Sequence, residues 1–173
     1  SNTDANFIGT IIRPATVCGY SPRQRLDLVV NILTNFAFHK KKIQIFGGAQ
    51  LRPNIHINDM VDSYICVLNA EKDKVSDQIF NVGFENHSVE TLALMVKKNI
   101  KENIELEFSK SDDNRSYHIN SKKISERLGF NPSKNIDLAI KDLIKAFEQK
   151  LLINTFNNQE YFNIKKMQKI NLV

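Results

Sequence analysis

Two short apolar runs, FIGTIIR at residues 7–13 and QIFNVG at residues 78–83, are rich in β-branched and aromatic side chains. Pro14 closes the first run. Such runs are typical of strands that are buried on both faces and therefore need neighbouring strands and covering helices. Together with the helical segments that follow them, they predict an α/β chain.

Helical and strand-like segments alternate between these two runs. Residues 26–38 carry apolar side chains at helical spacing, and residues 42–47 and 53–57 are predicted strands. A helix is predicted to follow Asn58 or Asp59, because either side chain can cap it. Its buried face is expected to consist of Val61, Tyr64, Ile65 and Leu68.

The second half of the chain continues the alternation. Ser88 is predicted to cap a helix whose inner side chains are Val89, Leu92, Val96 and Ile100. Residues 104–109 alternate as a half-buried strand does. Ser121 is predicted to cap a short helix that ends at a left-handed Gly129. The next helix is expected to bury Ile136, Ala139, Ile140, Leu143 and Phe147.

Composition excludes several classes of protein. The chain has 173 residues, of which 42% are hydrophobic, which is enough for one compact domain. Its net charge of +5 is spread over helix-like segments without a basic stripe interleaved with aromatics, so we expect no nucleic-acid binding. No apolar run approaches the roughly 18 residues of a membrane span, so we expect no membrane partner.

The cysteines and histidines do not form a recognisable metal site. Cys18 and Cys66 are far apart and lack a CxxC spacing, which favours a reducing, cytoplasmic setting without disulfides. The four histidines are not spaced with carboxylates as metal ligands are. The sequence also lacks GxSxG, GxGxxG and GxxxxGK[ST]. No catalytic group is therefore visible from the residues alone.

Arg52 is the most distinctive polar residue. It follows a Gly-Gly loop and precedes a proline that fixes the next backbone angle, an arrangement that can aim a guanidinium into a cleft. Arg115 lies in another polar loop, and two convergent arginines would suit a diphosphate. His56 and Asp59, by contrast, are expected to serve the start of the neighbouring helix.

Four stretches in this order resemble one known family: RPATVCGYSPRQR, KIQIFGGAQLRPNIHINDM, IFNVG and DNRSYHINSKKISERLGFNP. They are similar to the C-terminal half of the extended short-chain dehydrogenases/reductases (SDRs), namely the NAD-dependent nucleotide-sugar epimerases and dehydratases. The resemblance runs from about residue 7 to about residue 148. It implies the C-terminal part of a Rossmann-type extended SDR, with the last sheet strands and a small α/β substrate-binding domain.

The resemblance also implies roles for individual residues. Pro14 and Ala15 would contact the nicotinamide of NAD or NADP, and Thr16 would face the substrate. Gln44 and Phe46 would lie near the nucleotide base, where the ring of Phe46 can stack.

Arginines would hold the charged part of a nucleotide-sugar substrate. Arg52 matches the diphosphate-binding arginine of the family, and Arg115 matches a second arginine that contacts phosphate or ribose. Asp113 and Tyr117 would be neighbours of Arg115. Asn31 is a further candidate for a substrate contact.

The sequence departs from the family at several points. Cys18 replaces the usual tyrosine of the first motif, and Pro53 replaces an aspartate. The resemblance implies that the glycine-rich NAD loop and the catalytic Tyr-x-x-x-Lys pair belong to the N-terminal half of the family, which the four matched stretches do not include. We therefore expect residues 1–150 to be a substrate-binding half and residues 151–173 to be a C-terminal extension. On this expectation the chain alone is inactive and binds NAD poorly.

The expected partners follow from an incomplete sheet. The two predicted buried strands would lack neighbours, so we expect a Rossmann half, in the same protein or in a separate chain, or a homo-oligomer formed through the exposed sheet edge. A fragment, a split gene product and a repurposed module remain open. The rival function is a non-catalytic binding or assembly module, in which residues 151–173 form either a packed extension or a docking tail.

Overall fold

The computed structural model describes residues 7–111 and 115–172 of the chain. Strands and helices alternate along it, as the sequence predicts. The strands are β1 (Thr10–Pro14), β2 (Thr16–Cys18), β3 (Lys42–Phe46), β4 (Leu51–His56), β5 (Gln78–Val82), β6 (Glu85–Ser88) and β7 (Glu105–Ser109). The helices are α1 (Val29–Lys40), α2 (Ile57–Leu68), α3 (Lys72–Val75), α4 (Val89–Asn99), α5 (Lys122–Leu128), α6 (Ile136–Glu148) and α7 (Asn163–Lys169), with a 3₁₀ turn at Gln159–Tyr161.

The strands form three small sheets within the described residues. β1 pairs in parallel with β5, so that Ile11 lies beside Ile79. β4 is the middle strand of a second sheet, between parallel β2 and antiparallel β6. β3 pairs in parallel with β7, so that Gln44 lies beside Glu107. Parallel pairing joined by helices confirms the α/β prediction.

Among the described residues there are three hydrophobic clusters, of which two organise the strands. The first, which we call the α1–α4–α6 core, packs these three helices around Ile43 and Ile45 of β3, both fully buried. The second, the β1–β5 layer, gathers Phe80 and Val82 of β5 with side chains from β4, α2 and α5. The cleft described below lies along the first cluster.

Helix α6 has the face that its sequence predicts. Ile136, Ala139, Ile140, Leu143 and Phe147 are all buried. Asn135 caps the helix by accepting a hydrogen bond from the Leu138 amide at 3.0 Å. The apolar stripe at helical spacing is matched by a single complementary surface, which is why periodicity alone located it.

The predicted buried face of α2 is wrong. Val61, Tyr64, Ile65 and Leu68 are 46%, 47%, 50% and 82% exposed, whereas Met60, Ser63 and Val67 are buried. The helix also begins earlier than predicted, because the His56 side chain caps it by accepting from the Asn58 amide. Apolar side chains occupy most of the circumference of α2, so periodicity could not show which side the layer covers.

Strand β1 was predicted to be buried on both faces, and this is only half right. Ile12 packs against the β1–β5 layer, but Ile11 is 54% exposed and its register partner Ile79 is 38% exposed. The cause is that, within the described residues, no element covers this face of the two-stranded sheet. Phe108 of β7 is similarly 59% exposed.

The helix ends mostly follow their sequence signals. Ser88 accepts a hydrogen bond from the Thr91 amide at 3.1 Å, and Gly129 ends α5 with a φ of 71°. Ser121 precedes α5 but does not cap it with its side chain. Its hydroxyl instead donates to the Gly83 carbonyl and accepts from the Gly83 amide, which ties the α5 entrance to the end of β5.

Candidate functional site

A cavity of about 550 Å³ opens between α1, β3 and the polar segment at residues 115–117. Four of the residues that the sequence singled out line it together: Thr16, Gln44, Phe46 and Arg52. They come from three different strands, β2, β3 and β4, so only the fold brings them to one place. We call this the first cavity.

Arg52 holds the 115–117 segment against the sheet. Its Nη1 donates to the Leu51 carbonyl at 2.9 Å and to the carbonyl of Arg115. Its guanidinium carbon lies 5.8 Å from the centre of the Tyr117 ring, within the range of a cation–π contact. The guanidinium therefore builds one wall of the cavity as well as lining it.

Arg115 contacts Arg52 in the structure, but the contact is made by the backbone of Arg115 and not by its side chain. The Arg115 carbonyl receives the Arg52 guanidinium, while the Arg115 residue is exposed at the rim. The predicted convergence of two side-chain guanidinium groups on one diphosphate therefore stays a prediction. Asp113, which the resemblance placed beside Arg115, lies outside the described residues.

Gln44 and Phe46 lie on the exposed face of β3. The Gln44 amide donates to the Ser109 hydroxyl at 3.2 Å, and Phe46 is 52% exposed at the cavity. Alternation along the strand explains the arrangement, since Ile43 and Ile45 point into the core.

Gln50 shapes the turn after β3, and the sequence analysis did not identify it. Its Oε1 accepts from the Gly48 amide at 2.7 Å, and its Nε2 donates to the Phe46 carbonyl at 2.6 Å. Gly47 and Gly48 have φ angles of 76° and 113°, which favour glycine. The pair of glycines before a glutamine was the signal that could have revealed this turn.

A second cavity of about 380 Å³ adjoins the first. Pro14 and Ala15, the predicted nicotinamide contacts, line it with Thr16 and Asn31. Thr16 and Leu28 line both cavities, so the two are adjacent compartments of one cleft.

Asn31 is committed to holding the backbone around the second cavity. Its Oδ1 accepts from the Gly19 amide at 3.2 Å, and its Nδ2 donates to the Arg25 carbonyl at 2.9 Å. The side chain is buried in α1. Its use by a substrate stays a prediction, because the fold already employs both of its polar atoms.

Residues 20–28, which we call the arginine loop, cross the second cavity. Arg25 and Asp27 form a two-bond pair, with Nε donating to Oδ1 at 2.9 Å and Nη2 donating to Oδ2 at 3.2 Å. Arg25 lines the second cavity and Asp27 lines the first. The sequence reasoning missed this pair, although its Arg-x-Asp spacing was visible.

His56 caps α2, as expected, whereas Asp59 bonds outside that helix, contrary to the expectation that it serves the first turn. His56 Nδ1 accepts from the Asn58 amide, so its Nε2 carries the proton that is donated to Asp142 at 3.1 Å. Asp59 is buried and accepts from the amides of Ser133 and Lys134 at 3.0 and 2.8 Å. It therefore anchors the approach to α6 rather than the first turn of its own helix. Hydrogen bonds from Lys134 to Asp59 and Asp62 raise the pKa of that ammonium group.

Cys18 is a buried, protonated thiol. Burial, followed by the nearby charge of Glu85, raises its pKa to about 12. Its Sγ donates to the Ile55 carbonyl at 3.4 Å. Where the family usually places a tyrosine, this chain has a group that packs and does not ionise at neutral pH.

Across residues 7–111 and 115–172, no group of three or more His, Cys, Asp and Glu side chains is arranged to hold a metal ion. In the same ranges, no helix combines the length and apolar character needed to cross a membrane. The cleft is therefore described by its hydrogen-bonding and apolar groups alone.

Solved structures with the same fold are nucleotide-sugar enzymes. UDP-glucose 4-epimerase from Thermotoga maritima, solved with UDP-glucose, superposes with a TM-score of 0.70 at 23% identity over 83% of this chain. UDP-glucuronic acid 4-epimerase from Bacillus cereus, solved with UDP-glucuronic acid and NAD, gives 0.70 at 24% identity over 82%. dTDP-glucose 4,6-dehydratase from Bacillus anthracis, solved with NAD, gives 0.65 at 17% identity over 89%.

These likenesses show the fold: the chain has the α/β fold of part of these enzymes. Residues 1–83 also match the family described as NAD dependent epimerase/dehydratase. The matched segment is slightly less than half of the 173-residue chain. It spans less than half the length of the three solved structures, covering 47%, 45% and 46% of them.

Proposed function

We propose that this chain is the substrate-binding part of an NAD(P)-dependent nucleotide-sugar epimerase or dehydratase. The first cavity would take the nucleotide, with Phe46 and Gln44 at the base and Arg52 at the diphosphate. The second cavity would take the sugar, next to Thr16 and the predicted nicotinamide contacts Pro14 and Ala15. Residues 1–150 would form this binding half.

One observation carries the proposal: Thr16, Gln44, Phe46 and Arg52 line a single cavity although they lie on different strands. An exposed aromatic ring, an amide and a guanidinium are the groups that a nucleotide diphosphate requires, for stacking, polar contact and charge. A cavity of about 550 Å³ lies in the range of small-molecule sites. The family of residues 1–83 supplies the same expectation independently.

The residues present fit only one end of a nicotinamide cofactor. Pro14 is exposed at the end of β1, and Ala15 donates its amide to the Val82 carbonyl at 2.7 Å, so this junction is fixed beside the second cavity. A glycine-rich phosphate loop is not in the sequence. When bound, a nicotinamide supplies the hydride acceptor. This chain would contribute binding and orientation of the sugar.

The test of the binding site is a titration of the chain with UDP-glucose and with dTDP-glucose, followed by NMR. We expect one of them to perturb resonances of the first cavity. Arg52→Ala should weaken that binding by roughly 1.5–3 kcal/mol, the range for hydrogen bonds to charged groups. If neither compound perturbs the cavity, the proposal is wrong.

A matched control is available for Arg52. Arg127 also donates to two backbone carbonyls, those of Lys74 and Asp73, but on α5 and away from the residues that line the cleft. Arg127→Ala should leave the affinity unchanged while removing a comparable set of contacts. Equal losses of affinity in the two variants would mean that Arg52 acts through general stability.

We further propose that catalysis and tight NAD binding need a Rossmann half, in the same polypeptide or in a separate chain, and that the protein works in the cytoplasm. The two cysteines form no disulfide, which fits a reducing compartment. Turnover of UDP-glucose or dTDP-glucose by the 173-residue chain alone would contradict this proposal. Residues 151–173 would be an extension added to the binding half.

A binding or assembly module is the second candidate, and the exposed apolar surface favours it. Ile8, Tyr64 and Leu68 are 45%, 47% and 82% exposed and border a cavity of about 450 Å³ between β1 and α2. Val61 and Ile65 extend this apolar surface along the helix. Apolar patches of this kind mark interaction sites.

Affinity capture distinguishes the two candidates. One outcome is that the wild-type chain retains a Rossmann-containing protein that the Leu68→Lys variant does not retain. That result would identify the apolar surface as the contact with the Rossmann half. An unrelated protein with the same dependence on Leu68 would favour the assembly module. Self-association that Leu68→Lys abolishes would instead identify a homo-oligomer.

A further inference from the structure

The arginine loop lies between the cleft and the last part of the chain. On one side, Arg25, Asp27 and Leu28 line the two cavities. On the other side lie residues 151–172, which we call the C-terminal segment. The contacts between this segment and the loop are therefore separated from a bound ligand only by the loop residues that line the cavities.

Asp27 connects the two sides. Its Oδ2 accepts from the Asn163 amide at 3.0 Å and from Arg25 Nη2 at 3.2 Å, while Oδ1 accepts from Arg25 Nε at 2.9 Å. The carboxylate thus fixes the plane of the guanidinium in the second cavity. The position of the carboxylate is itself set by a backbone N–H of the C-terminal segment.

Two other bonds and a buried side chain hold the loop from the same side. The Leu26 amide donates to the Tyr161 carbonyl at 2.9 Å, and Arg23 Nη2 donates to Asn163 Oδ1 at 3.2 Å. Leu26 is fully buried in a cluster with Leu143, Leu152 and the half-buried Phe162. The loop is consequently clamped along its length.

The C-terminal segment also supports the first cavity. The ring of Phe156 packs edge-on against Phe36, with centroids 5.1 Å apart. Phe36 lines the first cavity from α1. Both compartments of the cleft therefore have one wall that rests on the same segment.

We propose that the C-terminal segment positions the cleft for its ligand: the Asn163 N–H orients Asp27, and Asp27 orients Arg25. Asn163 and Asp27 are positioning residues, since each acts through another group. The inference rests on the proposed function, because the ligand would be the nucleotide sugar of that site. It goes further by making affinity depend on residues 151–172, which the family resemblance does not reach.

A pair of substitutions at one position isolates the N–H. Asn163 is the first residue of α7, where proline is tolerated, and Phe162 before it is extended with a ψ of 105°, as a residue before proline prefers. Asn163→Pro removes the N–H donated to Asp27 together with the side chain. Asn163→Ala removes only the side chain that accepts from Arg23, so it is the matched control.

Two readouts follow in the full 173-residue chain. The first is the Arg25 Nε–H resonance without ligand, assigned by its loss in Arg25→Lys. The second is the dissociation constant for UDP-glucose and dTDP-glucose. We expect Asn163→Pro to shift the Arg25 resonance and weaken binding about tenfold, equivalent to about 1.4 kcal/mol. Asn163→Ala should retain the resonance and most of the affinity.

The outcomes separate the two levels of the proposal. If the wild-type chain binds and Asn163→Pro matches Asn163→Ala in both readouts, the positioning role is overturned and the proposed function stands. If the wild-type chain binds neither compound, the proposed function is overturned and the inference falls with it. An equal loss of affinity in both variants, without a shift of the Arg25 resonance, also overturns the role of the N–H.

Discussion

The α1–α4–α6 core and the β1–β5 layer contain similar apolar side chains, but these side chains differ in how far they are exposed. In the core, Ile43, Ile45 and Ile140 are all fully buried. In the layer, Ile11 of β1 and Ile65 of α2 are about half exposed. In the first region other described residues cover these isoleucine side chains, whereas in the second region the isoleucine side chains face outward. The first cavity lies along the first region, whereas Tyr64 of α2 lines both the second cavity and the cavity at the outward apolar surface.

The first cavity and the outward apolar surface use largely different elements of the chain. The first cavity is lined mainly by α1, β3 and β4, whereas the second also takes Pro14 from β1 and Met60 and Tyr64 from α2. The apolar surface belongs to β1 and α2. Matched changes in the core and in the layer should therefore differ in their effects, which the following experiments examine.

The largest expected difference between the two regions is in the reaction rate of their cysteine thiols, Cys18 in the core and Cys66 in the layer. Burial raises the Cys18 pKa to about 12, so at pH 8 only about one ten-thousandth of it is thiolate. Cys66 on α2 is partly exposed. We expect a disulfide reagent to label Cys66 in the native chain at least about a hundredfold faster than Cys18. Mass spectrometry of Cys18→Ser and Cys66→Ser assigns each rate, and comparable rates would show that the core opens readily.

The second largest difference is expected in the free energy of unfolding when an isoleucine of each region is replaced by alanine. Ile140→Ala removes a fully buried side chain of the core and should cost about 2–5 kcal/mol in the free energy of unfolding. Ile65→Ala removes a half-exposed one and should cost under about 1 kcal/mol. Urea unfolding followed by circular dichroism measures both. Equal costs would contradict the division into a closed core and an open layer.

The smallest expected effect is a pH dependence at the edge of the core. Burial, followed by the charges of Lys41 and Lys40, lowers the His39 pKa below 6.5. The unfolded chain then binds the proton more readily than the folded chain. Stability should be highest above about pH 6.5 and decline as the pH falls through the lower, folded value.

Replacement of His39 gives the control for this pH dependence. His39 packs against Phe147 and Phe156, so His39→Phe keeps an aromatic ring there without a titrating group. Urea midpoints at pH 7.5 and 5.5 should move less in His39→Phe than in the wild-type chain. An unchanged difference would assign the pH dependence to other groups.

The sequence could predict features that depend on a single element. The stripe of α6, the Ser88 cap and the left-handed Gly129 follow from local periodicity and backbone preference. The grouping of Thr16, Gln44, Phe46 and Arg52 followed from the family resemblance, not from the residues alone.

Other features depend on what neighbours an element has, which local patterns do not contain. The exposed face of α2 could not be predicted, because its helix is apolar on several sides. The role of the Arg25–Asp27 pair could not be predicted, because it depends on a hydrogen bond from the Asn163 amide, which is distant in the sequence. Arg52 was predicted as a ligand contact, yet its bonds to the Leu51 and Arg115 carbonyls required the fold to be seen.

Pro53 in β4 sets a limit on the middle sheet. β2 pairs with β4 only from Asn54 onward, and proline has no N–H with which to extend that ladder toward Arg52. The freed carbonyls are taken by side chains instead, since Arg52 Nη1 bonds Leu51 and Asn54 Nδ2 bonds Arg52. The ladder is therefore self-terminating. The β2–β4 pairing thus ends beside Arg52, which lines the first cavity, and Ala15 before β2 already donates to the Val82 carbonyl of β5.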